Sequence, residues 1–272
     1  MQEARCNDRP ESAETGDVPS ERPHVVVVGG LDPSGGAGLV RDLLTAEALG
    51  ANAMLVGTAW TRQDEGGVKG VEPRSPDMVR AGLEHALAAC PLRRTAVKIG
   101  MVAGASIAAA IVSGLEAWHG PVVFDPVLAA SGGGSLFEGA PADLLPLVCR
   151  ATLVTPNLAE AAWLTGLAVE TLDHARQAAR VLAAWGAAAV LVKGGHLAGP
   201  PTDVLRSSAG ERLYEGTRLP GSSPRGTGCA LATAIAVGLA RGQSLEQAVA
   251  AAKVWLAGRI QSAVTIGNAR FL

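Results

Sequence analysis

What narrows the fold of this chain most is a repeated alternation between short apolar, β-branched runs and longer helical stretches. Residues 25–30, 53–60, 96–100, 122–125, 151–155 and 189–193 read as strands. Residues 39–49, 75–89, 106–118, 158–165, 173–185, 230–241 and 245–262 read as helices. The strand runs are mostly continuous in apolar residues, as expected when both faces of a sheet are covered. Strand then helix, repeated, predicts a mainly parallel central sheet between helical layers, a three-layer α/β/α architecture of the α/β class. No break in composition separates two cores, so residues 24–272 read as one domain.

Residues 1–23 differ. They are polar, mixed in charge and lack the apolar stretch of a secretory signal, and they predict a disordered tail outside the domain. Their acidic residues also speak against a transit peptide. The net charge is −2 with no basic block, which gives nucleic acid and membrane surfaces no electrostatic anchor. No apolar run reaches the length of a bilayer span. The four cysteines, Cys6, Cys90, Cys149 and Cys229, form no CxxC pair. That spacing argues against zinc and against a disulfide framework, and fits a reducing cytoplasm.

Two glycine-rich turns stand out. Gly29-Gly30-Leu31-Asp32-Pro33-Ser34-Gly35-Gly36-Ala37-Gly38 follows the first strand and precedes a helix, the layout of a ligand site in a parallel sheet. It lacks G-x-G-x-x-G, so dinucleotide binding is not indicated. Arg225-Gly226-Thr227-Gly228-Cys229 opens a long apolar helix. The first N–H groups of a helix have no internal partner and sit at the positive end of its dipole, so this turn is suited to an anion, above all phosphate. It is not a Walker loop. Taken alone, the five residues read more readily as a tight loop entering a buried helix. Asp32, Gln63, Lys98, Asp125, Asn157 and Lys193 fall at or just after the carboxyl ends of predicted strands. That edge binds ligands in open parallel sheets. Each residue alone is ordinary loop polarity; the collection points to a site.

These segments, in this order, resemble the hydroxymethylpyrimidine/phosphomethylpyrimidine kinases of thiamine biosynthesis, members of the ribokinase-like superfamily. The resemblance rests on Gly30 to Gly38, Lys98-Ile99-Gly100-Met101, Asp125-Pro126-Val127, Thr155-Pro156-Asn157 with Glu160, Lys193-Gly194-Gly195-His196 and Gly226-Thr227-Gly228-Cys229. It covers nearly everything from residue 25 to about residue 263. It implies an ATP-dependent, Mg²⁺-dependent kinase of 4-amino-5-hydroxymethyl-2-methylpyrimidine and then of its monophosphate, with a small molecule as substrate. Gly226, Gly228 and Cys229 would be catalytic. The turn would present N–H groups to the moving phosphoryl group, and Cys229 would stand where the wider superfamily has an aspartate base. Its place at a helix N-terminus predicts a lowered pKa and a thiolate. Gln63 would match the donor and acceptor edge of the aminopyrimidine. Met101 and Val127 would cover the ring, and Gly30 and Asp32 would line the pocket near the hydroxymethyl group. Lys193, Thr227 and Lys253 would serve the nucleotide. Asn157 and Glu160 would hold Mg²⁺ through waters.

The sequence also departs from the family pattern. Asp64-Glu65 follow Gln63 where the family usually has Asn-Thr, and residues 129–134 lack a lysine that often precedes Ser-Gly. Arg225 replaces the usual histidine, which either restores positive charge or places an arginine on the surface. Residues 264–272 do not show the family's glycine-rich C-terminal segment. Two other readings stay open: a pyridoxal/pyridoxine kinase of the same fold, and a pyrimidine-binding protein without turnover. Gln63 and Met101 favour the pyrimidine over the first, and Asn157, Glu160, Lys193 and the intact Gly226–Cys229 turn speak against the second. Proteins of this appearance are often dimers, so a homodimer is among the expectations.

Overall fold

Val25, Val26, Val27 and Val28 are all completely buried, yet they do not share a core. Val26 and Val28 pack with one set of apolar residues and Val25 and Val27 with another. This is the two-sided burial that a continuous apolar strand predicts, because successive side chains leave opposite faces of a sheet. The computed structural model describes residues 22–64, 67–130, 133–219, 224–266 and 269–272. The tail expected over residues 1–23 lies, except for its last two residues, outside the described residues, as do Glu65, Ser131 and Gly132.

In chain order, β1 (His24–Leu31) leads to α1 (Gly38–Ala48), then β2 (Asn52–Asp64), β3 (Gly67–Pro73), α2 (Pro76–Ala88), β4 (Thr95–Ile99), β5 (Ala103–Gly104) and α3 (Ala105–Gly114). Next come β6 (Val122–Phe124), β7 (Phe137–Glu138), α4 (Pro141–Arg150), β8 (Leu153–Val154), α5 (Leu158–Thr165), α6 (Leu172–Ala184) and β9 (Val190–Val192). The chain continues through β10 (Thr202–Ser207), β11 (Gly210–Glu215), α7 (Thr227–Ala240), α8 (Leu245–Gln261), β12 (Val264–Ile266) and β13 (Ala269–Phe271).

The nine-stranded sheet has the order β11-β10-β9-β8-β6-β4-β1-β2-β3. Its centre, from β9 to β2, is parallel, and β3, β10 and β11 add antiparallel edges. Leu83, Ile111, Leu147, Leu164 and Leu182, from α2 to α6, bury one face of the sheet. Leu39, Leu231, Ile235 and Val249, from α1, α7 and α8, bury the other. The α/β/α expectation holds. The antiparallel strands and α4 were not expected. The β10–β11 hairpin presents an exposed outer strand and so lacks the apolar run of a central one. In α4, Pro141 at the first turn and Pro146 inside obscure the helical signal.

Candidate active site

Four of the expected site segments leave the carboxyl ends of strands in the parallel part of the sheet, which gathers them along one edge. Asp125 follows β6, Asn157 follows β8, Lys193 follows β9, and the Gly29–Gly30 turn closes β1. They line a cleft of about 1330 Å³ together with Gln63, Met101, Val127, Arg225, Lys253 and the start of α7. Gln63 is not beyond a strand end, as expected, but within β2. That strand runs past the sheet edge and pairs with β3, so Gln63 stands on a two-stranded projection beside the cleft.

The anion turn is built by conformation. Gly226 caps α7 with φ +78°, and a β-carbon there would run into the carbonyl oxygen of Gly36. Only glycine adopts this geometry at little cost. Gly228 opens toward the cleft: a β-carbon would lie 3.2 Å from Lys193 Nζ and 3.7 Å from Asp125 Oδ2. The first turn of α7 therefore opens onto the cleft beside a cation and a carboxylate.

Behind the turn is a buried charge network. Lys98 Nζ lies 2.7 Å from Asp42 Oδ2 on α1, and Thr233 Oγ1 on α7 donates to Asp42 Oδ1 at 2.7 Å. Lys98 faces the α1 and α7 layer because its neighbours Val97 and Ile99 face the other. Burial alone would depress the Lys98 ammonium. The carboxylate of Asp42, with Cys229 and Asp125 nearby, more than reverses this and holds it well above its ordinary value. Neither Asp42 nor Thr233 was singled out from the sequence. A usable signal existed: Asp42 lies three residues from Leu39 and four from Ala46 on the buried face of α1, where an unpaired carboxylate would be costly.

A second cluster forms beside the turn, where β6, β8 and β9 end. Lys193 Nζ lies 2.6 Å from Asp125 Oδ1 and 4.0 Å from Glu160 Oε2. Thr155 Oγ1 also donates to Asp125 Oδ1, at 2.9 Å. Burial pushes the Asp125 carboxyl up, but Lys193 and Lys98 outweigh burial and hold it below its ordinary range. Glu160 behaves differently. Burial pushes it up to about 7, with Asp125 adding to the rise and Lys193 and the Asn157 amide opposing it. Asn157 and Glu160 form a reciprocal cap on α5: the Asn157 N–H donates to Glu160 Oε2 at 2.7 Å, and the Glu160 N–H donates to Asn157 Oδ1 at 2.9 Å. Both residues expected to serve a metal therefore also start the helix.

Among the described residues no group of three or more His, Cys, Asp or Glu side chains forms a ready cage for a metal ion. The donor set fits a hydrated Mg²⁺ instead, which keeps most of its waters and takes one or two carboxylates plus phosphate oxygens. Lys253, the other cation expected near the nucleotide, lies 2.5 Å from Asp203 Oδ2, and Asp203 Oδ1 accepts from the Gly194 N–H at 2.8 Å. Asp203, which the sequence reading missed, thus ties α8 to the Lys193-Gly194-Gly195 turn. It sits on β10, a strand with no counterpart in that reading.

One expectation is overturned. Cys229 is 8% exposed in the first turn of α7, and burial pushes its thiol up to about 11, not down. Lys98 and the Gly38 N–H pull toward the thiolate, but Asp42 and Asp125 join burial against it. A helix N-terminus lowers a thiol's pKa where the thiol stays partly hydrated; here the desolvation cost is larger.

Of the residues expected to hold the substrate, Met101 is buried with its sulfur against Gly30, and Val127 is partly buried against the core. Asp32 Oδ1 accepts from the Ser34 N–H at 2.9 Å, shaping the turn. Arg225 is not on the surface. Its Nη2 reaches Asp32 Oδ2 at 3.3 Å and Gln63 Oε1 at 3.2 Å, and its backbone N–H donates to Arg270 on β13.

The mostly parallel sheet between helical layers, with its cleft at the carboxyl edge, is of the ribokinase-like fold, and the chain is a phosphotransferase. The pattern of the phosphomethylpyrimidine kinase family matches residues 32–271, and the chain belongs to that family. It is 39% identical over 255 residues to a hydroxymethylpyrimidine/phosphomethylpyrimidine kinase of Streptomyces coelicolor, covering 92% of this chain and 93% of that one. Among solved structures, it is similar to a phosphomethylpyrimidine kinase of Clostridium difficile 630, with TM-score 0.75, 32% identity and coverage of 88% and 100%. It is also similar to a pyridoxal kinase of Staphylococcus aureus in complex with AMP-PCP, with TM-score 0.83, 29% identity and coverage of 92% and 93%.

Proposed function

We propose that this protein transfers the γ-phosphoryl group of ATP to the hydroxymethyl oxygen of 4-amino-5-hydroxymethyl-2-methylpyrimidine, and then to the resulting monophosphate, in thiamine biosynthesis. The observation that carries this reading is the layout of the cleft. Asp32 and Gln63 meet the side chain of Arg225, just before the Gly226–Cys229 turn; Lys193 stands beside Gly228 of that turn, and Asp203 links Lys253 to the segment that carries Lys193. Transfer between two bound ligands is chiefly a matter of positioning and charge neutralisation, and this layout provides both.

Gln63 and Met101 orient the ring. The N–H groups of the α7 turn receive the equatorial oxygens of the moving phosphoryl group, at the positive end of the helix dipole. Lys193 and Lys253 balance the nucleotide phosphates. When bound, Mg²⁺ supplies further neutralisation of those phosphates; Glu160 and Asn157 would hold it through waters. Cys229, once ionised to the thiolate by loss of its proton to solvent, accepts the hydroxyl proton as the new O–P bond forms and ADP leaves. Its thiol is protonated at rest, and with a pKa of about 11 the thiolate is scarce at neutral pH but a strong base when present. Because ATP is the donor, we infer a cytoplasmic place of work.

The likeness to pyridoxal kinases calls for a direct comparison of substrates. ADP release should be followed with the hydroxymethylpyrimidine, its monophosphate, pyridoxal and pyridoxine, each at saturating ATP and Mg²⁺. The proposal expects the two pyrimidines to give the highest kcat/KM. Pyridoxal turned over more efficiently than either pyrimidine would overturn it.

A further inference from the structure

We infer that Arg225 is the group that reads the phosphate of the monophosphate substrate, and so governs the second transfer more than the first. The inference deepens the function proposed above and rests on it.

The cations of the cleft differ in how far they are committed. Lys98 is 2.7 Å from Asp42, Lys193 is 2.6 Å from Asp125 and Lys253 is 2.5 Å from Asp203. Arg218 spends its nitrogens on the carbonyls of Gly195, Leu197 and Gly199. Arg225 is held more loosely. Its two side-chain contacts, at 3.2 and 3.3 Å, both use Nη2. Among the described residues Nε and Nη1 have no hydrogen-bond partner, although the side chain is only 18% exposed. A guanidinium carries five N–H donors in a fixed fork that matches two oxygens of a phosphate.

Its place is also specific. Arg225 immediately precedes Gly226, and its Nη2 reaches the two polar side chains at the pyrimidine end, Asp32 and Gln63. The backbone is pinned by the pairing of Arg225 with Phe271 on β13, which fixes where the side chain starts. In the first transfer the attacking atom is an alcohol oxygen carrying no charge. In the second it is a phosphate oxygen, and it must occupy the same attack position beside the α7 turn. The phosphorus then lies between the ring and that position, and its remaining oxygens fall at the side chain of Arg225. The same dianion would be repelled by Asp32, whose carboxylate Arg225 already neutralises. Losing Arg225 thus removes an attraction and uncovers a repulsion, both felt by the monophosphate and hardly by the alcohol.

The test is to measure kcat/KM separately for the alcohol and for its chemically prepared monophosphate, in wild type, Arg225→Gln and Arg225→Lys. Phosphorylation of the alcohol by each variant also reports that it is folded. The expected result is a loss with the monophosphate about 10- to 100-fold greater than with the alcohol in Arg225→Gln, as befits lost charge-assisted hydrogen bonds. Arg225→Lys should fall between, since it keeps the charge without the fork. In a one-pot reaction Arg225→Gln should accumulate the monophosphate. Equal losses on both substrates would overturn the inference and leave Arg225 as a support for Asp32 and Gln63. Unchanged kinetics on both would overturn it too. A wild-type protein that phosphorylates only the alcohol would refute the inference while sparing the kinase reading of the first step. One inactive on both pyrimidines would refute the kinase reading, and the inference with it.

Discussion

Between pH 8 and pH 10 the chemical step should accelerate about 100-fold if the Cys229 thiolate is the proton acceptor. The magnitude follows from the burial of the thiol. With a pKa near 11, each unit of pH below that value changes the thiolate population tenfold. Glu160, which titrates near 7, is already ionised across this window and does not confuse the profile. The measurement is a single-turnover rapid-quench experiment at saturating ATP, Mg²⁺ and pyrimidine, so that product release does not mask chemistry. Cys229→Ala should be flat over the same range and roughly 10²–10⁴ slower at its upper end, the span expected when a general base is lost. The backbone donors of the turn survive the substitution, so residual turnover should remain. Iodoacetamide at pH 8 should modify exposed Cys149 well before buried Cys229. A wild-type profile that is flat from pH 8 to 10 would refute the reasoning. The anion turn and the metal would then suffice without a thiolate.

Glu160→Gln should keep the α5 cap but remove a buried titration. A carboxyl that binds its proton more tightly folded than unfolded stabilises the fold at low pH. That contribution is lost as pH rises from 4.5 through about 7. Relative to wild type, the variant should therefore gain up to about 3 kcal/mol on going from pH 4.5 to pH 8, at 1.36 kcal/mol per unit. Urea unfolding in EDTA at the two pH values measures this, and an equal difference at both would show that Glu160 has no raised pKa. Gln63→Leu should raise KM for the pyrimidine by an amount on the order of 1–3 kcal/mol, since polar ring atoms would lose their partner; steady-state kinetics checks it, and an unchanged KM removes Gln63 from the site. Lys98→Met should destabilise the fold by about 3–5 kcal/mol by leaving Asp42 charged and alone. The double variant Lys98→Met with Asp42→Leu should recover much of that loss in thermal unfolding, and failure to recover would mean that the pair is not the reason.

The parallel sheet, its two-sided burial and the gathering of most candidate site residues around one cleft were legible in the chain, because they depend on local pattern. The valines of β1, the glycines before α1 and α7, and polar residues at strand ends carry their meaning within a few positions. Lys193, Asn157 and Glu160 were placed correctly at one edge because parallel strands bring their carboxyl ends together. What the sequence left open depends on contacts between distant segments. Asp42 and Lys98 are 56 positions apart, and Asp42 and Thr233 are 191 apart; neither spacing announces a bond. Arg225 could not be assigned to cleft or surface until β13 pinned its backbone and Asp32 and Gln63 were seen to receive its side chain. The Cys229 pKa moved against expectation for the same reason. A helix N-terminus is a local property, readable from Gly226 to Cys229, whereas desolvation is set by everything packed around the thiol, and only the tertiary structure decides how much water is left there.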